Sequence, residues 1–478
     1  MSLSTWVYNT VPGPLRDALV SLRGLRLKSL RYTDFTWEKF GEYQKTQWWS
    51  PEQIRDMQLE KLRRMLNDAA AHCPYYENIF NNTGLRPNDI RSLDDLCKMP
   101  ILPKKVLRNN AKSLQDRRFL KKSFWVANTS GTSGMPLSVR YLHEDMQERF
   151  ALFERLFDWY TPGKWRERAS FTGKLVLPTS KPAKRVYVRN QPLRQNLYSS
   201  HHLEEGYFEK YFKALENQSP HQVDGILSPI YILSRIFINR GWRFTNPPNV
   251  VITTSETLWD HMRASISEGF GATVANQYSS QEGAPIIYEC PLGGFHLCAE
   301  SGIVEIIDNE GNPSKPGEIG RLVVTSFLTK ATPLIRYDIG DMAIASVKKC
   351  QCGRGLPLVG AVFGRVDDMF FTQERGLVPR VDSAFKGIPQ CIINSQVAQV
   401  GVNSFELRIV TDNDQYKGEY GETIAQNLRL YLGESVEISI KMVDCLPFGP
   451  GGKIKAMVNE AGIYGKYDNI GKSWMHIS

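Results

Sequence analysis

The sequence lacks an uninterrupted apolar stretch long enough to cross a bilayer, and its first residues carry no compact signal-peptide core. A cytoplasmic protein is therefore expected. It also lacks internal repeats and low-complexity tracts, which excludes solenoids and extended disordered tails. Cysteine is sparse, with 8 in 478 residues, and a cytosolic chain keeps its thiols reduced, so a disulfide scaffold is excluded as well. The loop from Asn128 to Val139 lacks the Gly-Lys-Ser/Thr ending of the Walker arrangement, so its chemistry differs from that of ordinary P-loop NTPases.

What is present is a globular composition, 42% hydrophobic and 23% charged, on a chain too long for one core. Two or three domains are expected. The net charge of +9 reads first as lysine and arginine scattered over the surface, with nucleotides, coenzyme A or acidic lipid as the anionic alternatives; no nucleic acid partner is expected. Between Leu15 and Arg31, Leu15, Leu19 and Leu22 recur at helical spacing among Arg16, Arg23, Arg26, Lys28 and Arg31. Packing on the domain is the first expectation for this basic N-terminal segment, and peripheral contact with an anionic membrane is the second.

Apolar residues recur at helical spacing from Thr36 to Phe80, and Ser50-Pro51 supplies an N-cap and first-turn proline. Helices are also expected over Glu144–Tyr160 and Tyr207–Leu215, and strands over Val250–Thr253, Gly302–Ile307 and Arg321–Ser326. This alternation predicts an α/β fold: a large multi-layer α/β N-terminal domain over residues 1–363, then a small α+β C-terminal domain over 369–478. In the latter, strands Ser404–Val410 and Val436–Val443 flank one helix, Glu422–Leu432. Residues 364–368 read as linker and hinge, which would make the C-terminal domain mobile.

The Asn128–Val139 loop is suited to wrapping an anion. Gly131 and Gly134 permit close approach, Pro136 stiffens the exit, and Thr129, Ser130, Thr132 and Ser133 add hydroxyl donors to successive N–H groups. Four cysteine and histidine positions, Cys290, His296, Cys350 and Cys352, gather in one region and offer three thiolates and one imidazole, the donor set of a closed structural Zn²⁺ site. Cys298 is the rival ligand.

Several motifs then follow in an order that resembles the adenylate-forming (ANL) superfamily, in its phenylacetate:CoA ligase-like branch. Thr129–Gly134 is similar to the family's Ser-Gly-Thr-Thr-Gly loop, Gly225-Ile-Leu-Ser-Pro229 to a degenerate substrate-pocket segment, and Thr254-Ser-Glu-Thr257 to an adenine-side stretch. Asn276-Gln-Tyr-Ser-Ser-Gln-Glu282, Arg336-Tyr-Asp-Ile-Gly-Asp341, Gly364-Arg-Val-Asp-Asp368 and Gly451-Gly-Lys-Ile-Lys455 complete the set.

The resemblance implies ATP, Mg²⁺ and coenzyme A, with a carboxylic acid as substrate. The loop from Thr129 to Gly134 would hold the β- and γ-phosphates, Ser255, Glu256 and Thr257 would border adenine, and Gln277, Ser279 and Ser280 would line the nucleotide. Asn276 would read the adenine amino group, Tyr278 would stack on the base and Asp341 would accept from the ribose hydroxyls. Glu282 suits Mg²⁺, Arg365 supplies a donor fork, and Lys453 would bring positive charge to the α-phosphate in the transition state. His201, His202, Gly225, Ser228 and Gly283 are candidate acyl-pocket residues, and Asp367 is the hinge about which the C-terminal domain would rotate. Three departures stand out: Met135 and Leu137 replace a loop lysine, Ser279 and Gln281 replace the usual glycine and hydroxyl residue, and Leu227 replaces the pocket tyrosine.

The expected activity is ATP-dependent formation of an acyl-AMP, with pyrophosphate release and acyl transfer to coenzyme A. Transfer to an amine, such as an amino sugar or amino acid, is the close alternative. A catalytically inactive, zinc-stabilised binding protein is the alternative of another class.

Overall fold

The computed structural model describes residues 11–122, 125–128, 138–174, 176–178, 184–346, 349–365, 369–411, 415–449 and 453–463. Thr129 to Gly134 and the hinge residue Asp367 lie outside the described residues. Two units make up the chain, one from residues 1–26, 163–276 and 363–478, the other from 27–162 and 277–362.

In the first unit, strands Gln195–Tyr198, Arg168–Phe171, Gln222–Ile226 and Val250–Thr254 lie side by side in that order and run parallel, with Tyr187–Asn190 antiparallel on the outside. Parallel neighbours need long crossovers, and helices Glu205–Gln218 and Leu227–Asn239 supply them. Leu227–Asn239 is buried around its whole circumference, which is why its sequence is apolar on every side. Phe171, Tyr198 and Tyr211 stack at 5.2 and 6.2 Å between the sheet and its cover. Gly225 has a positive φ of 139°, and a Cβ there would lie 2.0 Å from the Phe171 carbonyl oxygen, so no other residue fits this strand end.

The smaller α+β C-terminal domain belongs to this unit. Its sheet runs Glu437–Met442, Ser404–Thr411, Ile392–Gln399, Met457–Asn459, antiparallel in the central pair and parallel at both edges. Helix Gly418–Leu432 adds Ile424, Leu428 and Leu432 to the common core. The buried Arg235, on Leu227–Asn239, donates to the Pro389 and Ile392 carbonyls at 2.6 and 3.1 Å, while Trp259 and His261 lie against Phe385.

The second unit is built on helices Asp34–Thr46, Pro51–His72, Pro74–Thr83 and His143–Tyr160, with strands Gly302–Ile307, Ile319–Ser326 and Leu334–Ala345 pairing antiparallel in that order. Ser50 accepts from the Gln53 N–H and Gln53 reaches back to the Ser50 N–H, so the cap read from the sequence forms with Pro51 in the first turn. The expected helical stretch after Thr36 is divided at Trp48-Trp49 and again at Cys73-Pro74. On His143–Tyr160, fully buried Arg155 pairs with Glu300 through two hydrogen bonds of 2.6 and 3.1 Å, and Glu148 accepts from Tyr43 and Lys330. Thr46 and Lys61 add bonds to the Glu300 side chain and carbonyl.

Candidate active site

In the second unit the strand Leu334–Ala345 carries both Tyr337 and Asp341, four residues apart across a bulge at Gly340. The segment from Tyr278 to Glu282 carries a tyrosine and a carboxylate at the same separation. The two segments are tied reciprocally: the Tyr278 hydroxyl donates to Asp341, and the Tyr337 hydroxyl donates to Glu282 at 3.4 Å. Burial, reinforced by the neighbouring Glu282 charge, pushes the Tyr337 phenol far above its usual value, so it remains a donor.

Glu282 is buried, at 4% exposure, with the Lys104 ammonium 3.7 Å from the same oxygen. Lys104 opens the helix Lys104–Asn109 and also reaches the Ile339 carbonyl at 3.4 Å. The backbone leading to Glu282 is immobilised by Arg149 on the Ser280 carbonyl, at 2.8 Å, and by Tyr141 on the Gln281 carbonyl. Gly283, read as a pocket residue, is required by close packing: at φ 88° its Cβ would sit 2.7 Å from Ser326 Oγ. Ser280 is likewise turned inward onto the Ala284 carbonyl.

The strands Trp125–Asn128 and Ser138–Tyr141 pair antiparallel with Asn128 opposite Ser138.

In the first unit, Ser228 opens the Leu227–Asn239 helix and donates through both its backbone N–H, at 2.7 Å, and its hydroxyl to Glu256. The same carboxylate accepts from the Ile454 N–H at 3.0 Å, and Ser228 Oγ lies 3.0 Å from that N–H and 3.2 Å from the Ile454 carbonyl. Burial raises the Glu256 carboxyl above its usual value against the opposing pull of the Ser228 bonds and the Lys453 charge. Glu256, read as bordering adenine, thus clamps the residue next to Lys453. On the other side Gly449 donates to the Lys453 carbonyl at 2.7 Å, so Lys453 and its neighbour Ile454 are both held by backbone bonds. Ser255, just before Glu256, is exposed with a left-handed φ of 76°, a strain that L-residues hold only where the surroundings impose it, and Thr257 is exposed beside it.

His202 is buried, with one ring nitrogen 2.8 Å from Ser199 Oγ and the other 3.1 Å from the Pro178 carbonyl, so protein partners occupy both nitrogens. His201 is partly exposed, 6.2 Å from the Phe448 ring, and burial beside His202 lowers its pKa. Asn276 and Gln277 are half-buried on strand Thr273–Ser279, with Ser279 at its end, and Arg365 ends Val359–Arg365.

Cys290, His296, Cys350 and Cys352 place their donor atoms within 4.8 Å of one another. The Cys290–Cys350 sulfurs are 3.5 Å apart and Cys352 Sγ lies 3.2 Å from His296 Nε2. Tetrahedral zinc–ligand bond lengths give edges of roughly 3.5–3.8 Å, near these separations, and three thiolates with one imidazole are donors that suit zinc. His296 Nδ1 is bonded to the Leu356 carbonyl at 3.1 Å, which turns Nε2 toward the sulfurs. Gly294 leaves the space: a Cβ would be 2.5 Å from Cys350 Sγ and 2.7 Å from His296 Nε2. Cys298, the rival ligand, is not in the cluster and lies against Arg155.

Sequence reasoning missed Lys104, Tyr337 and the Glu256–Ser228–Ile454 clamp. The Leu-Pro-Lys-Lys turn at 102–105 carried no signal of its own, and Tyr337 was inside a motif read only for Asp341.

Residues 370–460 match the CapK C-terminal domain family. Protein CapK of Staphylococcus aureus is 24% identical over 464 residues, 95% of this chain and 99% of that protein. The phenylacetate-coenzyme A ligase of Thermus thermophilus is 23% identical over 445 residues, 85% of this chain and 97% of that enzyme. Among solved structures, 2-hydroxyisobutyryl-CoA ligase in the postadenylation state with R3-HIB-AMP superposes with a TM-score of 0.65 at 18% identity, covering 81% of this chain and 85% of its own.

Proposed function

We propose that this chain, which has the adenylate-forming fold and resembles the phenylacetate-CoA ligase branch, activates a carboxylic acid with ATP and passes the acyl group to coenzyme A. The reciprocal tie of Tyr278 to Asp341 and Tyr337 to Glu282 carries this reading, because it holds two carboxylates at fixed positions on one unit. Asp341 accepts from the ribose hydroxyls. Glu282 would hold Mg²⁺, a hard cation whose chemistry here is neutralising phosphate charge. Lys104 supplies a further cation beside Glu282, which suits a chain whose phosphate loop lacks lysine. Lys453 stabilises the charge on the attacked phosphate, and rotation about Asp367 then exchanges it for the acceptor.

The test is pyrophosphate release across aryl, fatty and amino acids, with coenzyme A, with amines, and with neither. Acid-dependent release followed by a thioester is expected. An amide product without coenzyme A would assign the acceptor to the amine class, and no release with any acid would replace the enzyme with a binding protein. In the same assay, Asp341→Ala is expected to raise the KM for ATP by roughly tenfold or more, since a hydrogen bond to a charged group is worth about 1.5–3 kcal/mol. An unchanged KM would remove Asp341 from the nucleotide site.

The Cys/His cluster would hold a structural Zn²⁺ pinning the hairpin of strands Ile286–Glu289 and Phe295–Leu297 to the 350–352 turn. Protein purified without chelator is expected to contain about one zinc per chain, and Cys352→Ser to lose both the metal and several degrees of melting temperature. Zinc-free wild type of undiminished stability would refute the site.

A further inference from the structure

The helix Leu227–Asn239 carries two polar residues that bond to the C-terminal domain, Ser228 and Arg235. Seven positions separate them, so they lie within about 20° of each other on one helix face and about 10 Å apart along its axis. At the first point Ser228 Oγ lies 3.0 Å from the Ile454 N–H, beside Lys453. At the second, Arg235 holds the turn that leads into strand Ile392–Gln399. One fastening would leave a pivot; two on the same face fix an orientation.

Arg235 is 4% exposed, and its guanidinium is spent on three neutral acceptors: the Pro389 carbonyl at 2.6 Å, the Ile392 carbonyl at 3.1 Å and Ser265 Oγ at 3.3 Å. Ser265 already donates to the His261 carbonyl at 3.0 Å, which leaves its oxygen to accept. Gly269 brings the helix Asp260–Phe270 close, since a Cβ there would lie 2.6 Å from the Ser234 carbonyl, and Ser265 sits one turn before it. On the C-terminal side the Ile392 N–H donates to the Pro389 carbonyl at 3.1 Å, so both carbonyls that Arg235 grips belong to one turn.

That turn is linked to Lys453 through the strand it opens. Gln396 donates to the Lys455 carbonyl at 2.7 Å, and the Val397 N–H donates to the Ala456 carbonyl at 2.9 Å. We infer that Arg235 is a positioning residue for adenylation, holding the C-terminal domain in the orientation that presents Lys453. The inference rests on Lys453 being the cation of that step. Separation of the domain from this helix would strip a buried guanidinium and two carbonyls of their partners, so the gripped orientation is favoured.

Arg235→Met keeps the reach of the side chain and removes its donors. Acid-dependent pyrophosphate release is expected to fall about tenfold in kcat with the KM for ATP within about twofold, while thioester formation from preformed acyl-AMP stays within about twofold of wild type. Arg235→Lys, which can still reach one carbonyl, should recover part of the loss. If Arg235→Met does not fold, the same comparison is read from Arg235→Lys. Hydrogen–deuterium exchange gives a readout independent of turnover: peptides spanning Ile392 and Ile454 are expected to exchange roughly tenfold faster in the variant, and those from His143–Tyr160 as in wild type. Unchanged exchange at Ile454, or equal loss of both half-reactions, overturns the inference. Failure of the ligase reading shows differently, as wild type that releases no pyrophosphate with any acid, whatever the exchange at Ile454.

Discussion

Replacing Lys453 with alanine is expected to lower acid-dependent pyrophosphate release by about a hundredfold or more, while thioester formation from preformed acyl-AMP stays within a few-fold of wild type. The asymmetry follows from the chemistry. A carboxylate attacking a phosphate brings two anions together, so a fixed cation contributes most where charge accumulates; the later attack of a thiol on the acyl-AMP has no such need. Gly449 bonds the Lys453 carbonyl, and Glu256 and Ser228 bond the adjacent Ile454 N–H. Glu256→Gln keeps the shape but weakens that clamp, and a smaller fall in adenylation, about tenfold, is expected with thioester formation spared. Equal loss of both half-reactions in Lys453→Ala would sink the assignment of Lys453 to adenylation.

Features encoded by neighbours in sequence were legible. The Ser50-Pro51 cap, the strands from Val250 and Gly302, and the helix ending at Leu432 rest on local pattern and appear where expected. The cluster of Cys290, His296, Cys350 and Cys352 was legible because thiol and imidazole chemistry restricts its own partners, and the fold gathers these four while leaving the rival Cys298 outside. Tertiary approach was not legible. Tyr337 and Glu282 are 55 residues apart, and Lys104 reaches Glu282 from still farther along the chain. Gly225 and Gly283 read as pocket residues from a motif, yet both are demanded by backbone or side chains packed against their missing Cβ. Glu256 shows the same limit: its motif pointed to the nucleotide, whereas its carboxylate is engaged by Ser228 and Ile454.

Arg155→Ala is expected to be the most damaging substitution for stability, by about 3–5 kcal/mol, because it leaves Glu300 buried and unpaired. Burial alone would raise the Glu300 carboxyl; the charge and hydrogen bonds of Arg155 overcome it and hold the group below its usual value. A carboxyl with a depressed folded pKa contributes stability above its unfolded pKa and loses it as pH falls through the folded one. Wild type should therefore lose this contribution only in acid, at and below the ordinary glutamate range. In Arg155→Ala the burial penalty acts unopposed, the folded pKa rises above the unfolded one, and the variant should gain stability as pH falls toward that range. Adding Glu300→Gln to Arg155→Ala should recover part of the loss and flatten the pH dependence, since the uncompensated charge is then gone. Chemical denaturation of the two single variants and the double variant, at neutral and acidic pH, measures this. Because Glu300 also accepts from Thr46 and its carbonyl from Lys61, while Arg155 reaches the Tyr43 carbonyl at 3.2 Å, the pair joins the helices Asp34–Thr46, Pro51–His72 and His143–Tyr160. A loss under 1 kcal/mol in Arg155→Ala would mean that water or Lys61 replaces the guanidinium, and the pair would then be an accessory to the fold rather than its brace.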